Sequence, residues 1–403
     1  MASEDAAAGG QENFENKLNA EQMEIDQNLS QVKHKILVLS GKGGVGKSTV
    51  AANLATSLSL DGKKVGLLDI DLHGPSIPGI FNLEGTDLQA EGQSLLPVDV
   101  SENLKIMSIG FMLANSDDAV IWRGPRKYHM IKQFLKDVKW GELDYLIIDS
   151  PPGTGDEPLA IVQLLGDADG AVIVTTPQQV ALSDVRKGIT FCRNLNLPVL
   201  GVLENMSGFV CPHCGQGTDI FKSGGGEQMA TQMNVPFLGR IPIDPQIVHA
   251  CDAGEPYIQH YSSSNAAKAF KDAMQNLLES EEEIKTESKG EKMRIAIPLA
   301  QGQLSLHFGH CDQFAIFEID DNKTITSRQD ETPPAHEPGV LPKWLGEIGV
   351  NIIIASGMGQ RAQQLFTQNG IKVVVGASSG TGEEIIAAYL QGTLKTGDNI
   401  CDH

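Results

Sequence analysis

The sequence has no apolar run near the eighteen or so residues that cross a membrane, and its N-terminus lacks the basic-then-apolar order of a secretion signal. Cytoplasmic residence is the expectation, and with it reduced thiols. The six cysteines (Cys192, Cys211, Cys214, Cys251, Cys311, Cys401) are then metal ligands, redox groups or core residues rather than disulfides, and one pair alone has motif spacing. Basic residues are scarce: Lys and Arg number 31 against 51 Asp and Glu, a formal charge of -20 with no local basic cluster. Such a chain repels phosphate backbones and anionic lipid, so neither nucleic acid nor membrane is expected as a partner. The absence of an internal repeat removes solenoid architectures.

What is present suits a globular chain, with a hydrophobic fraction of 41% over 403 residues, more than one core usually serves. Four segments are expected. Residues 1–32 form an acidic flexible arm without cysteine. Residues 33–279 hold apolar runs (Ile36 to Leu39, Val65 to Leu68, Tyr145 to Ile148, Ala171 to Val174, Val199 to Leu203) closed by glycine loops and followed by helical periodicity. Continuous runs mean strands buried on both faces, hence an α/β fold with a largely parallel sheet. The charged segment 280–291 reads as a linker, and 292–403 as a small second α/β domain in which MRIAIPLA, QFAIFEI, NIIIASG and IKVVVG are strands.

Directly after the strand ILVLS comes Gly41-Lys42-Gly43-Gly44-Val45-Gly46-Lys47-Ser48-Thr49, which opens into a helical pattern. Strand, glycine loop and helix in this order make a P-loop: backbone N-H groups curl toward phosphates, Lys47 reaches the β- and γ-phosphates of ATP, and Ser48 binds Mg²⁺. The additional Lys42 marks a deviant Walker A that resembles the MinD/ParA/nitrogenase-iron-protein class. There the extra lysine reaches phosphates bound by the facing subunit, which implies a nucleotide-sandwich homodimer.

Asp69 and Asp71 follow one buried strand and Asp149 ends another, at the carboxyl ends where ligands of open parallel sheets bind. By resemblance Asp71 orients the attacking water, with Asp69 as the alternative. Asp149 suits a Walker B acid that holds Mg²⁺, and Pro152, Gly153 and Gly155 make a loop able to sense the γ-phosphate.

Cys211 and Cys214 form a C-x-x-C pair open to three readings, half a zinc site, a redox pair or a soft-metal site. Two subunits on a twofold axis would supply the four thiolates that a [4Fe-4S] cluster or a zinc ion takes. The ordered motifs GKGGVGKST, DIDLHGPSIP, WRGP (Trp122 to Pro125), DSPPGTGDE, TPQQVALSDVRKG and ENMSGFVCPHCG resemble the Mrp branch of P-loop ATPases over residues 30–275. This resemblance implies a bridging [4Fe-4S] cluster on Cys211 and Cys214, Asn205 at the adenine, and transfer to recipient apoproteins. The chain departs from some eukaryotic relatives, which have a four-cysteine N-terminal motif: its arm has no cysteine, so a second N-terminal cluster is not expected.

From Met293 onward the chain resembles the dinitrogenase iron-molybdenum-cofactor biosynthesis family, NifX/NafY-type domains with an RNase H-like fold. His307, His310, Cys311, Cys401 and His403 are its candidate ligands for a soft or borderline metal. Cys192, His249 and Cys251 read instead as core or packing residues. The competing function is a ParA/MinD-type positioning switch; the acidic CDH terminus and the absent basic face speak against it.

Overall fold

The computed structural model describes residues 21–72, 74–92, 94–112, 124–211, 214, 216–290, 293–305, 308–320, 324–334, 339–391 and 393–394. The chain divides between Ile284 and Lys285 into two compact units.

In the first unit a helix over 21–29 (α1) leads into β1 (Val32–Ser40), α2 (Lys47–Leu60), β2 (Val65–Asp69) and the single turn α3 (Ile77–Ile80). The short strands β3 (Ala90–Glu91) and β4 (Ser94–Leu95) precede β5 (Val98–Ser101) and β6 (Leu104–Ser108). Next come α4 (Gly124–Asp137), β7 (Leu143–Asp149), α5 (Asp156–Leu165), β8 (Gly170–Thr175), α6 (Gln179–Asn194) and β9 (Val199–Glu204). The hairpin β10 (Phe209–Val210) and β11 (Gly217–Thr218) follows, then α7 (Gly225–Gln232), β12 (Phe237–Arg240), α8 (Pro245–Ala253), α9 (Tyr257–His260) and α10 (Asn265–Gly290).

The eight-stranded sheet runs β12-β9-β8-β1-β7-β2-β6-β5, with β5 antiparallel to β6 at the edge and every other pair parallel. All residues of β2, β8 and β9 are buried, which is why their sequences are continuously apolar rather than alternating. Period-two alternation still sorts the two faces. Ile36 and Val38 of β1 pack into the core with Leu54 of α2 and Phe270 of α10, whereas Leu37 and Leu39 join Phe134 of α4 and Ile161 of α5. Placing β1 centrally, between β7 and β8, brings the loop after it to the middle of the sheet's carboxyl edge.

Two expected boundaries shift. Residues 21–32, assigned to a flexible arm, are docked: Ile25 and Leu29 are buried, and the Asn28 amide donates to the carbonyls of Leu135 and Val138, each at 2.8 Å. Residues 1–20 of that arm lie outside the described residues. The segment 280–291, expected to be a linker, continues α10 through Gly290, with Ser280 and Glu281 buried. Its stripe Leu277, Glu281, Ile284 keeps helical spacing toward the core. Glu281 Oε1 lies 2.7 Å from His34 Nδ1, which also meets Asp169 Oδ1 at 3.2 Å, and His34 stacks on Tyr145. These partners are remote in sequence and leave no local signature.

The second unit contains β13 (Met293–Ala300), β14 (Gln303–Leu304), β15 (Gln313–Ile319), β16 (Ile325–Glu331), α11 (Val340–Glu347), β17 (Ile352–Ile354), α12 (Gln360–Gln368), β18 (Lys372–Val374) and α13 (Gly382–Leu390). Its sheet order is β16-β15-β13-β17-β18, antiparallel across the first three strands and parallel across the last three, with β14 on β13. This is the small α/β domain expected. The four strands foreseen are joined by the exposed, polar β16 and by β14.

Candidate functional site

The loop from Gly41 to Gly46 turns β1 into α2 at the carboxyl edge of the sheet. Gly44 and Gly46 have φ of 77° and 79°, the left-handed region where a side chain is strained, and Gly46 caps α2. A Cβ at Gly43 or Gly44 would meet nothing, so their backbone faces an open cradle; one at Gly41 would overlap Asp184, and one at Gly46 the Asn205 amide. An open glycine loop at a helix start is a place where a phosphate-sized anion is favoured.

Lys47 is buried beneath this cradle. Its Nζ stands 2.5 Å from Asp149 Oδ1, 3.4 Å from Ser48 Oγ and 3.7 Å from Asp71 Oδ2. Burial raises the Asp149 carboxyl above the usual range while the Lys47 ammonium pulls it back. The second oxygen, Oδ2, is buried with no hydrogen-bond partner among the described residues. An orphaned carboxylate oxygen beside Ser48 and an open anion cradle fits a phosphate-bound Mg²⁺ or its water.

The acid that ends β2, Asp69, and the one two residues on, Asp71, differ in their surroundings. Asp69 is fully buried and accepts bonds from the Asp71 N-H (3.1 Å), the Ile77 N-H (3.3 Å) and the Ser108 hydroxyl (2.9 Å). Burial, then the charge of Asp149, push its carboxyl up to about 8. Its oxygens are taken up by the loop that follows, and Asp71 Oδ2 is the one of the two acids paired with Lys47. The segment after β7 is tied to the same place, because the Gly153 N-H donates to the Ser40 carbonyl at 2.7 Å with Gly153 at φ 94°.

Asn205, just beyond β9, is also buried here, and its amide donates to the Val45 carbonyl at 2.9 Å. Beside it the fully buried Glu204 carboxylate accepts from the Ser207 hydroxyl (2.5 Å), the Gly224 N-H (2.9 Å) and the Gly226 N-H. Sequence reasoning linked Asn205 to adenine by resemblance and did not single out Glu204. The available signal was a carboxylate closing an otherwise wholly apolar strand, VLGVLE, which must find donors when buried.

The segment that follows carries the thiols. The hairpin β10–β11 is closed by the Cys211 N-H donating to the Gln216 carbonyl at 3.0 Å; Cys211 is half-buried and Cys214 exposed. Val210, Ile220 and Phe221 are exposed apolar neighbours of the pair in the chain.

The C-terminal ligand set is described only in part. His307, Cys401 and His403 lie outside the described residues, as do Trp122 and Arg123 of the WRGP motif, and His310 is described only as backbone of the turn Phe308–His310. Cys311 is half-buried against the core that holds Phe366, and burial pushes its thiol up to about 11. Cys192 is wholly buried, with its thiol pushed up to about 12, and Cys251 is half-buried, so both pack as expected. Alkylation at pH 7.5 is therefore expected to label exposed Cys214 at least about tenfold faster than Cys311, since the thiolate is the reacting form. Peptide mass spectrometry over time measures the order, and equal rates would contradict the burial of Cys311.

Among the described residues no helix is long and apolar enough to cross a membrane. Residues 31–278 match the family model described as NUBPL iron-transfer P-loop NTPase, and residues 291–392 that of dinitrogenase iron-molybdenum cofactor. An iron-sulfur cluster carrier protein of Methanocaldococcus jannaschii is 51% identical over 264 residues, covering 65% of this chain and 90% of that protein. Among solved structures, a nucleotide-binding protein of Archaeoglobus fulgidus in complex with ADP is 42% identical. That match spans 59% of this chain and 92% of the other with a TM-score of 0.53.

Proposed function

Because the chain belongs to the NUBPL iron-transfer P-loop NTPase family, we propose that it is an ATP-dependent carrier that holds a [4Fe-4S] cluster between two copies of itself and hands it to apoproteins. The observation that supports this best is the surface hairpin with Cys211 and exposed Cys214 on the strand-end segment that also reaches the P-loop. Each chain offers two thiolates of the right spacing and a cubane takes four, so a twofold pair completes the set. A cluster gripped across an interface and open to solvent is suited to release.

ATP takes the cradle of Gly41 to Thr49. Its β- and γ-phosphates draw the Lys47 ammonium from Asp149, whose carboxylate is then available with Ser48 to Mg²⁺, and Asp71 orients the attacking water. Asn205 lies at the adenine end of this reading. No ion pair among the described residues involves the Lys42 ammonium, which suits a role across the dimer. The chain's small C-terminal domain is read as a second metal-binding module, with His307, His310, Cys311, Cys401 and His403 as its donors.

Delivery tests the carrier reading. Protein reconstituted anaerobically with iron and sulfide is expected to activate an apoprotein severalfold faster with Mg-ATP than without; equal rates would leave a carrier that does not use its nucleotide. Mixed variants test the sandwich. Lys42→Ala and Asp71→Ala are each expected to be inactive alone. Their equimolar mixture should regain about a quarter of wild-type turnover, since half the dimers are mixed and each has one intact site. No recovery at any ratio would sink the trans role of Lys42.

A further inference from the structure

We infer that Glu204 and Asn205 at the end of β9 form the link through which nucleotide at the P-loop sets the geometry of the thiolate hairpin; this rests on the assignment of the two sites made above. The two side chains leave adjacent backbone positions in opposite service. The Asn205 amide donates to Val45 in the P-loop, and its own N-H donates to the Thr175 carbonyl at 2.7 Å, so it is fixed to both β8 and the phosphate cradle. Gly46 has no side chain where the Asn205 amide sits, and the Met206 methyl also lies close to that position. A shift of Val45 and Gly46 on phosphate binding therefore carries Asn205 with it or leaves a buried carbonyl unpaired.

Glu204 grips the other side. Ser207 stands at the start of the loop bearing Cys211 and Cys214, and Gly224 and Gly226 at its end, so three donors bring both ends of that loop onto one buried carboxylate. The Arg240 guanidinium adds a contact at 3.7 Å. The connecting backbone is strongly constrained: Met206 and Gly208 have φ of 56° and 74°, and the Ser207 N-H donates to the Ile241 carbonyl at 2.9 Å. A stiff turn joined to the P-loop by one side chain and to the hairpin base by the next transmits displacement rather than absorbing it. Glu204 and Asn205 are thus positioning residues for the thiolates.

Linkage tests this. The dissociation constant of Mg-ADP is measured on the full chain with the hairpin metal-free and with it loaded with Zn²⁺, and the affinity for Zn²⁺ with and without Mg-ADP. Zinc bound by a Cys211→Ser, Cys214→Ser variant is subtracted. In the wild type both affinities should shift by one common factor on the order of tenfold, as reciprocity requires. Glu204→Gln keeps the shape but faces its amide toward donors; it is expected to retain both ligands and bring the factor to near one. Wild type that binds both without coupling, or Glu204→Gln with the full factor, overturns the inference and leaves the site assignments standing. Wild type that takes no Zn²⁺ at the pair overturns the thiolate assignment instead. Amide exchange then still decides the link, and also serves if Glu204→Gln does not fold. Mg-ADP should slow exchange at Gly224 and Gly226 by at least about tenfold, and unchanged exchange there overturns the inference.

Discussion

Replacing Lys47 by alanine is expected to lower ATP turnover by at least about a hundredfold, the scale of losing one charge-stabilising donor at a reacting centre. Lys47 is the buried cation beneath the glycine cradle, 2.5 Å from Asp149 and 3.7 Å from Asp71. The fold should survive. Removing one member of a buried pair ordinarily costs roughly 3–5 kcal/mol because the other charge is left alone. Here Asp149, whose carboxyl burial already raises, can take up a proton instead. A raised folded-state value contributes stability present at acid pH and lost as pH rises past the unfolded carboxylate value of about 4. Lys47→Ala should therefore melt progressively earlier from pH 5 to pH 8, and more steeply than wild type. Phosphate release and thermal melts across that range measure both effects; turnover within a few-fold of wild type would remove Lys47 from the phosphate site.

The double variant Cys211→Ser, Cys214→Ser is expected to lower iron from about four per dimer after reconstitution to background in the isolated ATPase unit, because a cubane needs four thiolates and serine oxygen is a poor substitute for a soft ligand. The substitutions fall on a surface hairpin with one thiol half-buried and one exposed, so they create no cavity. Nucleotide binding should persist. Iron analysis beside ADP titration checks this, and full iron in the double variant would place any cluster elsewhere.

Much of this was legible from residue order. The runs ILVL, VGLL, YLII, AVIV and VLGVL became β1, β2, β7, β8 and β9, because strands buried on both faces leave little choice of side chain. The P-loop glycines could be read because φ near 80° at Gly44 and Gly46 requires them. Other features depend on pairings across the chain. Asn205 meets Val45 from 160 positions away, and Glu204 is satisfied by backbone N-H groups that carry no sequence identity. The exposed strand β16, SRQDE at its end, is polar because one edge and most of its surface face solvent, so hydrophobic patterning is silent there. The charged continuation of α10 misled for a related reason: Glu281 looks like a linker residue until His34 and Asp169 are beside it.

The anchoring of α10 bears on how the molecule can be dissected. A chain ended at residue 279, where composition alone invites the cut, would lose Ile284 from the core and Glu281 from His34, the imidazole that stacks on Tyr145. The amino end of the central sheet would then be left wet and unfinished. The compact first unit extends to Ile284, and the helical turns that reach it are part of that unit's foundation rather than a tether.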